Sequence, residues 1–157
     1  MRRKILIVED DPEQLEVIRL NLQDAGFAVG TAANGTEALI KTRSISPDLI
    51  ILDLMLPGLN GFDVCESLRR DPTTASVPII MLTGMRSQFG RFAGLESGAD
   101  DFLLKPFDSD LLVSKVEKLL SRLSAPGGSH RKAKAAVSGS RMHKRTLATV
   151  PGSKRNN

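Results

Sequence analysis

Short apolar runs and helix-spaced apolar positions alternate along the first 123 residues. Lys4-Ile5-Leu6-Ile7-Val8, Asp48-Leu49-Ile50-Ile51-Leu52 and Pro78-Ile79-Ile80-Met81-Leu82 are rich in Ile, Val or Leu and almost unbroken by polar residues. A strand with one wet face alternates polar and apolar positions. A continuous run fits a strand covered on both faces, as in a parallel sheet. Weaker runs at Ala28-Val29-Gly30-Thr31-Ala32 and Asp101-Phe102-Leu103-Leu104 bring the predicted strands to five. Leu15, Ile18, Leu22 and Ala25 recur at helix spacing, with Asp11 placed to cap, Pro12 in the first turn and Gly26 at the end. Thr36 to Arg43 reads as a second helix, and Phe62, Cys65 and Leu68 mark a third. Phe89, Phe92 and Leu95 suggest a fourth. Leu112, Val116, Leu119, Leu120 and Leu123 make a fifth, with Asp108 near its start.

Strict alternation of strand and helix predicts an α/β fold: a doubly wound, five-stranded parallel sheet with helices on both faces. In such sheets chemistry sits beyond the carboxyl ends of the strands. The chain has 157 residues, 41% of them hydrophobic, enough for one packed core. With no Trp or Tyr, that core must be aliphatic. The single cysteine, Cys65, excludes a disulfide framework within one chain and is expected to be buried packing. Met1-Arg2-Arg3-Lys4 carries the charge of a signal peptide, but Ile5 to Val8 is too short an apolar run before Glu9. No stretch is long enough to span a bilayer, so a cytoplasmic protein is expected.

The net charge of +4 conceals two different materials. Residues 124–157 carry eight basic residues and no acid, which makes that segment +8, while 14 basic and all 18 acidic residues leave 1–123 at −4. Pro126-Gly127-Gly128-Ser129 breaks from the last helix, and residues 130–157 include no aromatic side chain of the Phe, Trp or Tyr type. The expected organisation is a folded domain over 1–123 and a basic, disordered tail over 124–157.

Candidate chemistry gathers where the fold rule points. Glu9, Asp10 and Asp11 follow the first strand, Asp53 follows the third, Thr83 ends the fourth and Lys105 the fifth. Converging carboxylates raise one another's pKa unless a cation intervenes. Hard oxygen ligands suit Mg²⁺, which prefers one or two carboxylates, waters and a phosphate. A carboxylate acceptor, a dication, an ammonium and a hydroxyl together make a phosphoryl-transfer site. Taken singly, each residue has an ordinary explanation: Asp53 starts a turn, Asp11 caps a helix, Thr83 is a β-branched strand residue, and Lys105 is a solvated charge. His130 and His143, in the tail, read as solvated.

Four stretches in order are more specific: Ile5-Leu6-Ile7-Val8-Glu9-Asp10-Asp11, Pro47 to Gly58, Pro78-Ile79-Ile80-Met81-Leu82-Thr83-Gly84, and Gly98 to Phe107. Over residues 3–123 the chain resembles the receiver (CheY-like) domains of two-component response regulators. The resemblance implies a flavodoxin-like strand order of 2-1-3-4-5 and a phosphoacceptor at Asp53. It implies that Glu9, Asp10, Asp53 and the backbone carbonyl of Met55 hold Mg²⁺, and that Thr83 and Lys105 bind phosphoryl oxygens. Gly84 would leave room for the incoming group, Lys105–Pro106 would be a cis peptide, and Thr83 and Phe102 would form the switch to the surface. Met55 and Met85 flank the phosphoryl position and cannot orient a hydrolytic water, which predicts a long-lived acyl phosphate.

The implied partners are a histidine kinase or phosphotransfer protein and an unnamed downstream protein. The implied role is a signalling switch, not an enzyme, with only self-phosphotransfer and autodephosphorylation. A homodimer through the face of the fourth helix, fifth strand and fifth helix is expected to use Arg91, Asp101 and Lys115. Two alternatives stay open: a transcriptional regulator whose basic tail binds nucleic acid weakly and without sequence preference, and a receiver-like module that acts without phosphorylation.

Overall fold

Five strands form one sheet: β1 (Lys4–Val8), β2 (Ala28–Ala32), β3 (Leu49–Asp53), β4 (Ile79–Thr83) and β5 (Asp101–Leu104). Their order is β2-β1-β3-β4-β5 and every pairing is parallel. This computed structural model describes residues 2–84, 96 and 98–124. Among them are four helices: α1 (Pro12–Asp24), α2 (Gly35–Ile45), α3 (Gly61–Arg70) and α4 (Ser109–Ser124). The helix expected over Phe89 to Leu95 lies outside the described residues.

Parity along the strands separates two apolar layers. Ile5, Ile7, Leu49, Ile51, Ile80 and Leu82 pack with Ile18 and Leu22 of α1 and with Leu112, Val116, Leu119 and Leu120 of α4. Leu6, Val8, Ile50, Leu52, Ile79 and Met81 pack with Ala38 of α2 and with Val64, Cys65 and Leu68 of α3. Successive side chains of a strand point to opposite faces, and both faces are covered, so the runs need no polar alternation.

Local chemistry sets the helix starts. The Asp11 side chain accepts from the Glu13 N–H at 3.1 Å, with Pro12 in the first turn of α1. Asn34 accepts from the Glu37 N–H at 2.8 Å. Asn60 and Asp63 form a capping box at the start of α3. Asp108 accepts from the Asp110 N–H at 3.2 Å ahead of α4.

The expected elements need four adjustments. Ala25 is exposed and serves as the C-cap of α1, so that helix's apolar stripe ends at Leu22. Helix α2 extends beyond Thr36–Arg43 at both ends and closes on Ser46 in the left-handed region. Asp53 belongs to β3 as its last residue instead of following it. Asp101 and Lys115 pair with each other within the chain at 3.1 Å, and Arg91 lies outside the described residues.

Candidate functional site

The carboxyl ends of β1, β3, β4 and β5 deliver the site. Past Val8, the Glu9 N–H donates to the Ala32 carbonyl at 3.0 Å, which prolongs the β1–β2 ladder and holds Glu9 in a buried position. Asp10 turns outward and is exposed. Asp53 ends β3 opposite Leu82, and the Leu54 N–H donates to the Leu82 carbonyl at 2.8 Å. Thr83, one residue further along β4, is buried. Its carbonyl accepts from the Lys105 N–H at 2.8 Å, so Lys105 is fixed just past β5. The Lys105–Pro106 peptide is cis.

Glu9, Asp10 and Asp53 each offer a carboxylate oxygen within 4.8 Å of the others. Lys105 Nζ stands 2.9 Å from Asp53 Oδ1 and 3.3 Å from Glu9 Oε1. Glu9 Oε2 accepts from the Asp11 N–H at 3.3 Å. Asp53 is only 2% exposed, and its Oδ1 has no aligned hydrogen-bond donor. The ammonium is therefore a close charge contact to that oxygen, not a well-directed hydrogen bond.

Among the described residues Lys105 contacts two of the three carboxylates, and burial sets the direction in which those two acids titrate. Burial is the largest influence on Asp53 and, with Asp10 nearby, raises its pKa despite Lys105 and the Met55 N–H. Burial also raises Glu9, and the Asp53 charge adds to it. For Lys105, burial opposes the charge, but contacts with Asp53 and Glu9 outweigh it and raise the pKa. The pair thus holds the lysine charged without fully compensating the acids.

This donor set fits a hard divalent cation. All three side chains supply oxygen, they share excess negative charge, and Asp53 Oδ1 is buried without an aligned donor. Glu9, Asp10 and Asp53 are the side chains that would hold Mg²⁺. Met55 meets Asp53 through its N–H, which donates to the carboxylate. Phe102, half-buried on β5, stands in register with Met81 and packs on the layer built by α2 and α3.

Two features went unnoticed in the sequence. Arg69 donates to the carbonyls of Gly98, Ala75 and Val77 at 2.9, 3.0 and 2.6 Å and to Asp100 Oδ2 at 3.0 Å. Asp100 Oδ2 also accepts from the Ile79 N–H at 2.8 Å. This clamp ties the end of α3 to the entries of β4 and β5. Gly61 presses the start of α3 onto the backbone that carries Asp53: a Cβ there would lie 2.6 Å from the Asp53 carbonyl oxygen. An Arg beside an ordinary helix end gives no sequence signal. Gly61 directly after a capping Asn60 does offer one.

A doubly wound parallel sheet with an acid cluster and an ammonium at its carboxyl edge defines a protein of the α/β class with a site suited to a divalent cation. The comparisons identify which one: residues 5–117 match the response regulator receiver domain family, and the chain belongs to it. It is 46% identical over 122 residues to the DNA-binding response regulator MtrA of Mycolicibacterium smegmatis, covering 78% of this chain and 52% of that protein. It is 43% identical over 122 residues to the phosphate regulon transcriptional regulatory protein PhoB of Rhizobium meliloti, covering 78% of this chain and 54% of that protein. The chain thus spans about half the length of these curated relatives. Among solved structures, a response regulator from Chloroflexus aurantiacus superposes with a TM-score of 0.75 at 40% identity, covering 77% of this chain and 99% of that one. Vibrio cholerae chemotaxis protein CheY4 superposes at 0.72 and 34% identity, covering 75% and 98%. No described helix is long and apolar enough to cross a membrane.

Proposed function

We propose that Asp53 accepts a phosphoryl group from the phosphohistidine of a histidine kinase or phosphotransfer protein, or from a small acyl phosphate, and that the modified chain then changes its protein partner. One observation carries this: a buried aspartyl oxygen without an aligned donor lies 2.9 Å from an ammonium and within a three-carboxylate cluster. An Asp53 carboxylate oxygen attacks phosphorus in line, and the donor's P–N or P–O bond breaks with its electron pair leaving on the donor. The Lys105 ammonium and the Thr83 hydroxyl take up the phosphoryl oxygens as charge shifts onto them. Glu9, Asp10, Asp53 and the Met55 carbonyl would hold Mg²⁺, which when bound neutralises part of the phosphoryl charge. Hydrolysis of the aspartyl phosphate resets the chain, so its only chemistry is on itself. Thr83 and Phe102, on adjacent strands, carry the change toward the surface.

The test is acetyl phosphate with Mg²⁺, read by intact mass and peptide mapping. One phosphoryl group on Asp53, lost in Asp53→Ala, is the expected result. A folded, Mg²⁺-loaded sample that stays unmodified and ignores beryllofluoride would instead favour the phosphorylation-independent module.

A second reading has its own support: MtrA is named a DNA-binding response regulator and PhoB a transcriptional regulatory protein, and residues 124–157 hold eight basic residues without an acid. In it the receiver body over 1–123 carries a basic segment that contacts nucleic acid phosphates without sequence preference. Binding that weakens steeply with salt, with a slope of about −0.9 per phosphate neutralised, and that vanishes when the eight cations are replaced by Gln, supports it. Where two copies pair, we place the contact on β5 and α4. Asp101 and Lys115 already satisfy each other there, so their pair would have to open or stay at the rim.

A further inference from the structure

The dipeptide Asn-Gly occurs at Asn34–Gly35 and at Asn60–Gly61, and in both places the asparagine caps a helix. The pair is chemically labile, because glycine has no side chain to keep its backbone nitrogen from the preceding amide carbon. The two surroundings differ. The Gly61 N–H donates to the Leu54 carbonyl at 2.8 Å. Asn60 is half-buried and held in its capping box, and Gly61 is pressed on the Asp53–Leu54 backbone. Asn34 is exposed, and among the described residues one hydrogen bond holds its side chain, accepted from the Glu37 N–H at 2.8 Å. The Gly35 N–H heads α2, where no intrahelical acceptor exists, and it has no acceptor among the described residues. A carbonyl thus holds the Gly61 proton on its nitrogen, and no such bond holds the Gly35 proton.

We propose that Asn34 is a site of spontaneous deamidation, through which the chain ages at the start of α2, and that the fold shields Asn60 from the same reaction. Water or hydroxide takes the Gly35 amide proton, and the nitrogen bonds to Asn34 Cγ. The bond from Cγ to Nδ2 breaks, and the side-chain nitrogen leaves as ammonia with that proton. Water then opens the five-membered imide. Attack at Cγ breaks the new bond and gives aspartate. Attack at the main-chain carbonyl gives isoaspartate, with the side-chain carbon now in the backbone. The two products act oppositely. Aspartate keeps the backbone and puts negative charge at a helix N-terminus, where it is favourable. Isoaspartate lengthens the backbone, so the cap leaves the Glu37 N–H. It also shifts Gly35, which has no room to move: a Cβ there would already lie 2.7 Å from Leu59 Cβ and 2.8 Å from Val64 Cγ2. Leu59 belongs to the segment that joins β3 to α3, so the damage spreads beyond α2.

The test needs no phosphoryl transfer, so its outcome is independent of the role given to Asp53. The full chain is held at mildly alkaline pH, with and without urea. Peptide masses follow the exchange of amide for acid, and an isoaspartyl methyltransferase labels isoaspartate. In the folded chain the Asn34 peptide should change several-fold faster than the Asn60 peptide, and in urea the two rates should converge. Asn34→Ser, which keeps a cap, should lose the early methyl label. The isoaspartyl form, separated from the rest, should melt below a fresh Asn34→Asp chain, which should melt no lower than wild type. Equal rates at the two asparagines in the folded chain overturn the proposal. So does a rate difference that persists in urea, since it would belong to the local sequence and not to the fold. Early methyl labelling that survives in Asn34→Ser, or an isoaspartyl form that melts with Asn34→Asp, overturns it as well.

Discussion

Gly61→Ala should damage the site from behind, without touching any charged group in it. A Cβ at position 61 would lie 2.6 Å from the Asp53 carbonyl oxygen, 2.7 Å from Leu54 Cα and 3.2 Å from the Asp53 carbonyl carbon. All three are backbone atoms, so no rotamer change relieves them. Carbon contacts are comfortable at about 3.5–4.0 Å, so the helix and the strand end must separate by roughly 1 Å. The Gly61 N–H, which donates to the Leu54 carbonyl at 2.8 Å, is pulled away with them. Overpacking of this kind costs about 1–3 kcal/mol, and replacing a helical glycine by alanine returns about 0.5–1 kcal/mol. A net loss of about 1–2 kcal/mol lowers Tm by roughly 5–10 °C in a domain of this size. A displacement near 1 Å at a reacting group costs about 100-fold in rate, so acetyl phosphate labelling of Asp53 should slow by at least about tenfold. Circular dichroism melting and timed mass spectrometry read both effects. Gly84→Ala is the stability control: a Cβ there meets nothing within 4 Å, and its stability should stay within about 0.5 kcal/mol of wild type. A Gly61→Ala chain with wild-type melting and labelling would refute the reasoning.

Arg69→Ala removes four hydrogen bonds and takes the positive charge from the largely buried Asp100 carboxylate; urea unfolding should show a loss of about 3–5 kcal/mol, as for a broken buried ion pair. Asn60→Ala removes the capping box of α3 and should cost about 1 kcal/mol in the same assay. The folded pKa of Asp53 lies above its ordinary value, so the stability linked to its protonation is present below the unfolded pKa and lost as pH rises through the folded one. At neutral pH its charge therefore opposes folding. Asp53→Asn should melt no lower than wild type in metal-free buffer at pH 7, whereas added Mg²⁺ should raise Tm for wild type only. A mutant that melts well below wild type without metal would contradict that sign.

Legibility in the sequence tracks how local the determining physics is. Strands buried on both faces need unbroken apolar runs, so β1, β2 and β5 could be read to the residue and β3 and β4 to within one. Caps act over two or three residues, so Asp11 and Pro12 were visible as the start of α1. The fold rule then gathers Glu9, Asp10, Asp53, Thr83 and Lys105 at one edge without any distance being known. What stayed hidden depends on contacts distant in sequence. Arg69 reaches Asp100 across 31 residues, and nothing near either residue announces the other. Ala25 had the right spacing to be core, but the helix ends before that position meets the sheet. The Asp101–Lys115 pair was legible as two charges on one face, though not as charges spent on each other.

The same separation of scales explains how a small domain tolerates a site that opposes its own folding. The strands that lead to Glu9, Asp53 and Thr83 are anchored along their length by aliphatic side chains buried on both faces. The acids are confined to the strand ends, where Lys105 is the cation paired with them among the described residues. Because the unfavourable charge is concentrated at one edge, a change of charge there acts on that edge first. A dication would neutralise that excess, and under the proposed chemistry a phosphoryl group on Asp53 adds oxygens for Lys105 and Thr83 to meet. Under that proposal one route for relaxation runs along Thr83 and the Lys105 N–H bound to its carbonyl at 2.8 Å. That route leads to β5, where Phe102 is half-buried instead of locked in the core. A site without its charge deficit would be more stable, but under the proposed phosphorylation it would have nothing to release.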